Sequence, residues 1–160
     1  IRTIALHFVG IFLDHDVRDR VLERIRASIA SVDAHVAEYA IHASTDLGDL
    51  LAIPQIIEAL RHRSVHTRQR AAQALSQLTF QDHGLSAKQW TKWYQSVGAQ
   101  PRLSWLLEAM VDKDWKVRDN AAKALAELPR MMINYHPDLN RAARAQAAEH
   151  VRDYFAETKA

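Results

Sequence analysis

The chain of 160 residues and 18.2 kDa is long enough for one domain with a buried core. At 48% hydrophobic and 25% charged residues, with only 4 Gly and 4 Pro, it is neither disordered, collagen-like nor a many-turned all-β protein. Its 21 basic and 19 acidic side chains nearly cancel to +2, so its basic isoelectric point does not by itself mark a nucleic-acid binder, and without cysteine it has no disulfide framework, thiolate zinc site or cysteine nucleophile.

The opening stretch from Ile4 to Leu13 is apolar apart from His7, and is far short of the roughly 20 residues that cross a bilayer. Ile4, Leu6, Phe8, Val9 and Phe12 make it a first helix. The chain starts at Ile1 rather than Met and shows no signal peptide, so it reads as a processed or truncated piece with a cytoplasmic location as the default expectation. A second helix follows Asp14 and carries Arg18, Val21, Leu22 and Ile25. A third is expected from Val32 to Ala43, with Val36, Tyr39 and Ala40 inward.

A helix with Ile56, Ile57 and Leu60 comes next, and Ser64 caps its successor. Ser86 caps a helix reaching Val97, in which Trp90, Trp93, Tyr94 and Val97 recur at three- and four-residue spacing. Gly98 and Pro101 mark its exit. Leu103, Leu106, Leu107 and Met110 share one face of the next helix. Asp112-Lys113-Asp114 breaks that pattern, and Asp114 caps a helix burying Val117, Ala121, Ala124, Leu125 and Leu128. After the Tyr135-His136-Pro137 turn, a last helix is expected from Asp138 to Glu157.

The chain repeats itself. Ala71-Ala72-Gln73-Ala74-Leu75-Ser76-Gln77-Leu78 aligns with Ala121-Ala122-Lys123-Ala124-Leu125-Ala126-Glu127-Leu128 at an offset of fifty residues. Arg68 then meets Arg118, and Ile56 to Leu60 meets Leu106 to Met110. An earlier copy aligns Arg18 with Arg68, Val21-Leu22 with Ala71-Ala72 and Ile25 with Leu75. Its first half fits through a loop about two residues shorter, which matches Phe8, Val9 and Phe12 to Ile56, Ile57 and Leu60. A helical hairpin of ~25 residues cannot bury its apolar face alone, whereas stacked copies can. The expected fold is all-α: a right-handed solenoid of about nine helices in three ~50-residue repeats (about 4–50, 51–100 and 101–157), forming one domain over 1–160.

The residues Ile53-Pro54-x-Ile56-Ile57-x-Ala59-Leu60 and Asp112-x5-Arg118-x2-Ala121-Ala122-x-Ala124-Leu125-x2-Leu128 resemble HEAT repeats, from about Leu6 to Leu128. Leu78-Thr79-Phe80-Gln81-Asp82-His83-Gly84, followed by Trp90-x2-Trp93-Tyr94, resembles a linker between repeats of many bacterial HEAT-repeat proteins. The resemblance implies an armadillo-type superhelix that serves as a scaffold or binding platform. It also implies a ladder between neighbouring repeats, formed by an Asp in the hairpin loop and an Arg early in the second helix. Asp112 with Arg118 keeps that pattern, Asp14 with Arg18 keeps it with a shortened loop, and His62 replaces the Asp in the middle copy.

Candidate chemistry is sparse. His62 and His66 are four apart but separated by the break at Ser64, and His35 and His42 lie two turns apart on one helix, so no metal site is expected. HEAT-like hydroxylases use adjacent His-Glu pairs, and only the reversed Glu149-His150 occurs. Trp90, Trp93, Trp105 and Trp115 could stack on bases or form a cage; Trp90 and Trp93 read as core, and Trp115 as the most exposed of the four. Arg61, Arg63, Arg68 and Arg70 form a basic patch. Residues 1–50 carry 5 basic and 8 acidic side chains, 51–100 carry 6 and 2, and 101–160 carry 10 and 9, so the middle copy suits an acidic partner surface. Charge signs mix down the outward positions of the second helices, which argues against a phosphate track. No Gly-x-Ser-x-Gly, phosphate-binding loop or singled-out carboxylate pair occurs.

The expectation is therefore a non-catalytic interaction module without cofactor. Its stacked second helices would offer a concave face bearing Arg20, Glu23, Arg70, Gln73, Asp119 and Lys123 to another protein or another part of the parent chain. A nucleic-acid-binding or base-repair protein, and a lyase or hydroxylase accessory domain, are the alternatives. Solenoid ends need polar caps; the apolar opening helix suggests a longer solenoid or pairing with another subunit.

Overall fold

A computed structural model describes residues 15–127 and 134–157. The expected opening helix, Asp14 and Leu128 lie outside the described residues. Eight α-helices and one 3-10 turn account for the regular structure, and no strand occurs among the described residues. They are α1 His15–Ile29, α2 Ala34–Asp46, the 3-10 turn Leu50–Ala52, α3 Ile53–Ala59, α4 Val65–Thr79, α5 Ala87–Val97, α6 Arg102–Val111, α7 Trp115–Ala126 and α8 Arg141–Glu157. The all-α expectation holds among the described residues, and α4 and α7 begin at Val65 and Trp115, the fifty-residue offset of the sequence.

Local chemistry sets the boundaries. Asp33 accepts the amides of His35 and Val36 at 2.8 and 3.4 Å and so starts α2. Ser64 and Ser86 accept the amides of Thr67 and Gln89, both at 3.3 Å, and start α4 and α5. Asp114 accepts the Lys116 amide at 2.8 Å and starts α7. Helix α2 ends in a Schellman arrangement: the Asp49 amide bonds the Ser44 carbonyl and the Gly48 amide bonds that of Thr45. Gly48 there has φ +63°, a backbone that costs glycine least. At the corresponding end of α4 stands Phe80, with φ +68°. Left-handed backbone costs a side chain on the order of 1–2 kcal/mol; burial of the ring, only 5% exposed, offsets it.

The described residues fall into two compact units. In the first, α1 packs on α2 and on α3. Its fully buried side chains include Ile29, Ile41, Ile53, Ile56, Leu75, Leu78 and Trp90. The second unit takes residues 79–82 and those from Ser96 onward. There α6 packs on both α7 and α8, and Ala109, Met110, Ala121 and Val151 are fully buried. The alanines serve the packing: Ala71, Ala74 and Ala121 are buried where a larger side chain would hold helix axes apart.

Two expectations on inward faces are corrected. Val36 and Tyr39 are exposed, at 45% and 57%. The stripe α2 turns inward is Ala37, Ala40, Ile41 and Ser44, because these small side chains let α2 lie close to α1. Helix α8 begins at Arg141 rather than Asp138, because Asn140 takes the capping role by accepting the Ala143 amide at 2.9 Å.

Candidate interaction surface

The turns leading into α4, α7 and α8 share one device. Arg118 donates from Nη1 to the carbonyls of Asp112 and Lys113 at 2.9 and 2.8 Å, and from Nε to that of Pro137 at 2.8 Å. Arg68 donates from Nη1 to the carbonyls of His62 and Arg63 at 2.8 and 3.1 Å. Arg144 donates from Nη1 to the Leu139 carbonyl at 3.0 Å. In each case the arginine stands four residues after the cap, and its own amide bonds the cap's carbonyl. The guanidinium reaches back and ties the turn, satisfying carbonyls that the preceding segment leaves open.

Arg118 does not pair with the Asp112 carboxylate; Asp112 Oδ1 instead accepts the Asp114 amide at 2.7 Å. His62 does the same with Nδ1 toward the Ser64 amide, at 3.1 Å. A carboxylate and a neutral imidazole nitrogen are both acceptors, so the His62 replacement preserves the turn. Arg18 stands at the matching place on α1, but its partner Asp14 is outside the described residues. The Asn140–Arg144 turn was not singled out in the sequence, although the same cap-plus-four spacing marks it.

The outward residues of the second helices bond mainly along their own helix. Arg20 donates from Nε to the Asp16 carbonyl at 3.3 Å. Arg70 donates to Gln73 at 3.4 Å, and Lys123 pairs with Asp119 at 2.6 Å. Glu23 is exposed. These are solvated i,i+3 and i,i+4 contacts of small energy. In the basic patch Arg61 pairs with Glu58 and Arg68 is held in its turn, and Arg63 and Arg70 are exposed.

The tryptophans separate as their spacing suggests. Trp90 is fully buried and donates from Nε1 to the Gly84 carbonyl at 2.9 Å. It meets His83 and Trp93 edge-on, at 4.7 and 5.9 Å between ring centres. Trp93 is half-buried. Trp105 is buried and donates to the Val97 carbonyl at 3.0 Å. Trp115 is 47% exposed, with its Nε1 on Asp138 Oδ1 at 2.8 Å.

Among the described residues, ionisation is shifted at Arg26, Arg102 and Tyr135. Asp49 holds Arg26 through two bonds of 2.6 and 3.0 Å. These raise the Arg26 guanidinium above its usual value, the hydrogen bond being the main cause. Asp49 is buried and also accepts the Leu51 amide, so it joins α1 to the 3-10 turn. Sequence reasoning missed this pair, because 23 residues separate its members without a motif. Arg102 lies 4.8 Å over the Phe80 ring, and burial lowers its guanidinium. Burial pushes the Tyr135 hydroxyl up to about 12, and that hydroxyl donates to the Met110 carbonyl at 2.7 Å.

A groove of about 700 Å³ runs between α1 and α2. Val17, Val21 and Ile25 form one wall, and the outward-turned Val36 and Tyr39 contribute to the other. Arg20 and Arg24 line it with exposed cations. Among the described residues no three His, Asp or Glu side chains gather closely enough to hold a metal ion, and no helix is long and apolar enough to cross a membrane.

Helix–turn–helix units whose second members start at a fixed interval define a helical-repeat protein. Residues 106–128, which span most of α6 and α7, match the HEAT repeat family. HEAT repeats generally mediate contacts between proteins. No curated protein and no solved structure matches the chain significantly.

Proposed function

We propose that the chain is a non-catalytic protein-binding module, built as a HEAT-type solenoid of three repeats within a single domain over 1–160. Its partner is another protein or another domain of the parent chain. The observation that carries this reading is the start of α4 and α7 at Val65 and Trp115, fifty residues apart, together with the HEAT match over 106–128. The second helices then supply the binding residues, Arg20, Glu23, Arg70 and Gln73 in the first unit and Asp119 and Lys123 in the second. A pre-formed helical surface lowers the ordering cost of association. The nucleic-acid reading draws less support, since Arg61 and Arg68 of the basic patch are held by Glu58 and by turn carbonyls.

The test is quantitative affinity capture with the wild-type chain and with a variant carrying alanine at all six positions, alongside far-ultraviolet circular dichroism. Partners held by the wild type should be lost by the variant at unchanged helicity. Retention of every partner by a folded variant would show that the face lies elsewhere.

A further inference from the structure

We propose that the turn between α3 and α4 is an acid-sensitive latch, held shut by the neutral ring of His62 and released when that ring takes up a second proton. His62 Nδ1 accepts the Ser64 amide at 3.1 Å. Ser64 in turn caps α4, its Oγ accepting the Thr67 amide at 3.3 Å. An imidazole nitrogen that accepts carries no proton, so the ring's one proton sits on Nε2. Nε2 is buried and meets no hydrogen-bond partner. The bond to Ser64 therefore exists only with the neutral ring. The turn is closed at the alkaline end of histidine's titration range and opens as the pH falls through it.

A second proton turns Nδ1 into a donor facing the Ser64 N–H, and it leaves a cation on a half-buried ring whose other nitrogen is shut off from water. The charged neighbours do not relieve it. Arg68 of α4 places Nη1 on the carbonyl of His62 itself at 2.8 Å and on that of Arg63 at 3.1 Å. Arg61 and Arg63 flank His62, and His66 lies in the first turn of α4; all three are exposed. Glu58 of α3 is engaged by Arg61, and Glu38 of α2 accepts the Thr67 hydroxyl at 2.9 Å. The imidazolium is hydrated only by swinging out of the turn, which breaks the Ser64 bond and loosens the cap. The segment that loosens carries Arg61 and Arg63, so the basic patch becomes a looser array with one more positive charge. The corner before α7 has no such response. Asp112 accepts the Asp114 amide at 2.7 Å, and Asp114 accepts that of Lys116 at 2.8 Å. Carboxylates keep their acceptors throughout the range in which histidine titrates, so acid sets the two corners apart.

Amide hydrogen exchange read by NMR on the full chain tests the latch, each rate being divided by its intrinsic value at the same pH. Between pH ~7.5 and ~5.5, protection at Ser64 and Thr67 should fall about fivefold relative to Asp114 and Lys116. Long-range nitrogen–proton spectra at the upper pH should find the His62 ring proton on Nε2. His62→Asp, which gives this corner the acceptor of the next one, should hold protection level across the same range; circular dichroism checks that the variant stays folded. The other histidines titrate equally in wild type and variant, so the difference between the two belongs to His62. Protection at Ser64 that tracks Asp114 in the wild type would overturn the proposal, a result that needs no variant. So would a fall that persists in a folded His62→Asp, or a ring proton found on Nδ1.

Discussion

The tie between Arg118 and its turn yields a graded prediction. Arg118→Ala removes three bonds from one guanidinium, to the carbonyls of Asp112, Lys113 and Pro137. A hydrogen bond to a charged group contributes about 1.5–3 kcal/mol. The Lys113 carbonyl sits in an exposed contact and rehydrates, so the part-buried bonds to Asp112 and Pro137 dominate. The expected loss is about 2–4 kcal/mol. Arg118→Lys keeps the charge but not the fork, and should fall between the two. Asp112→Asn preserves an Oδ1 acceptor for the Asp114 amide and should cost under ~0.5 kcal/mol, whereas Asp112→Ala loses that turn bond and costs about 1 kcal/mol. Urea unfolding followed by circular dichroism measures all four. If Asp112→Asn costs as much as Arg118→Ala, a carboxylate–guanidinium pair holds the turn after all. If Arg118→Ala stays within ~0.5 kcal/mol of wild type, the tie contributes nothing.

Three further outcomes follow from burial. Ala121→Leu should destabilise by about 1–3 kcal/mol through overpacking, read by the same titration; no change would mean that Ala121 faces no neighbouring helix. Trp90→Ala should cost about 3–5 kcal/mol, and Trp93→Ala clearly less, since only Trp90 is fully buried; the reverse order would contradict the packing. Tyr135 holds its proton more tightly folded than unfolded, because burial raises it to about 12. Its contribution to stability is therefore complete below pH ~10 and is lost as the pH climbs toward the folded value. Absorbance titration at ~295 nm should show a late-ionising component in the wild type that is absent from Tyr135→Phe; its persistence in that variant would refute it.

Helix starts were legible because caps are local. Ser64, Ser86 and Asp114 announce themselves one residue before their helices, and the fifty-residue offset fixed where α4 and α7 begin relative to each other. The inward face of α2 was not legible. Val36 and Tyr39 on one stripe and Ala37, Ala40, Ile41 and Ser44 on the next are both apolar enough to face a core. Hydrophobicity alone favours the larger pair; the distance at which α1 lies favours the small one. The Asp49–Arg26 pair was hidden for another reason, since it joins segments that only the finished fold brings together. For the interaction surface, the sequence supplied the candidate side chains. It did not reveal that Arg68 faces its own turn.

The arginine ties also bear on how such a chain can change over generations. They grip backbone oxygens, which all twenty amino acids possess, and they ask of the corner itself little beyond an acceptor for one amide. Aspartate, histidine and others can therefore exchange at that corner without bending the path of the chain. A protein of this kind can change its wording copy by copy while every corner stays square.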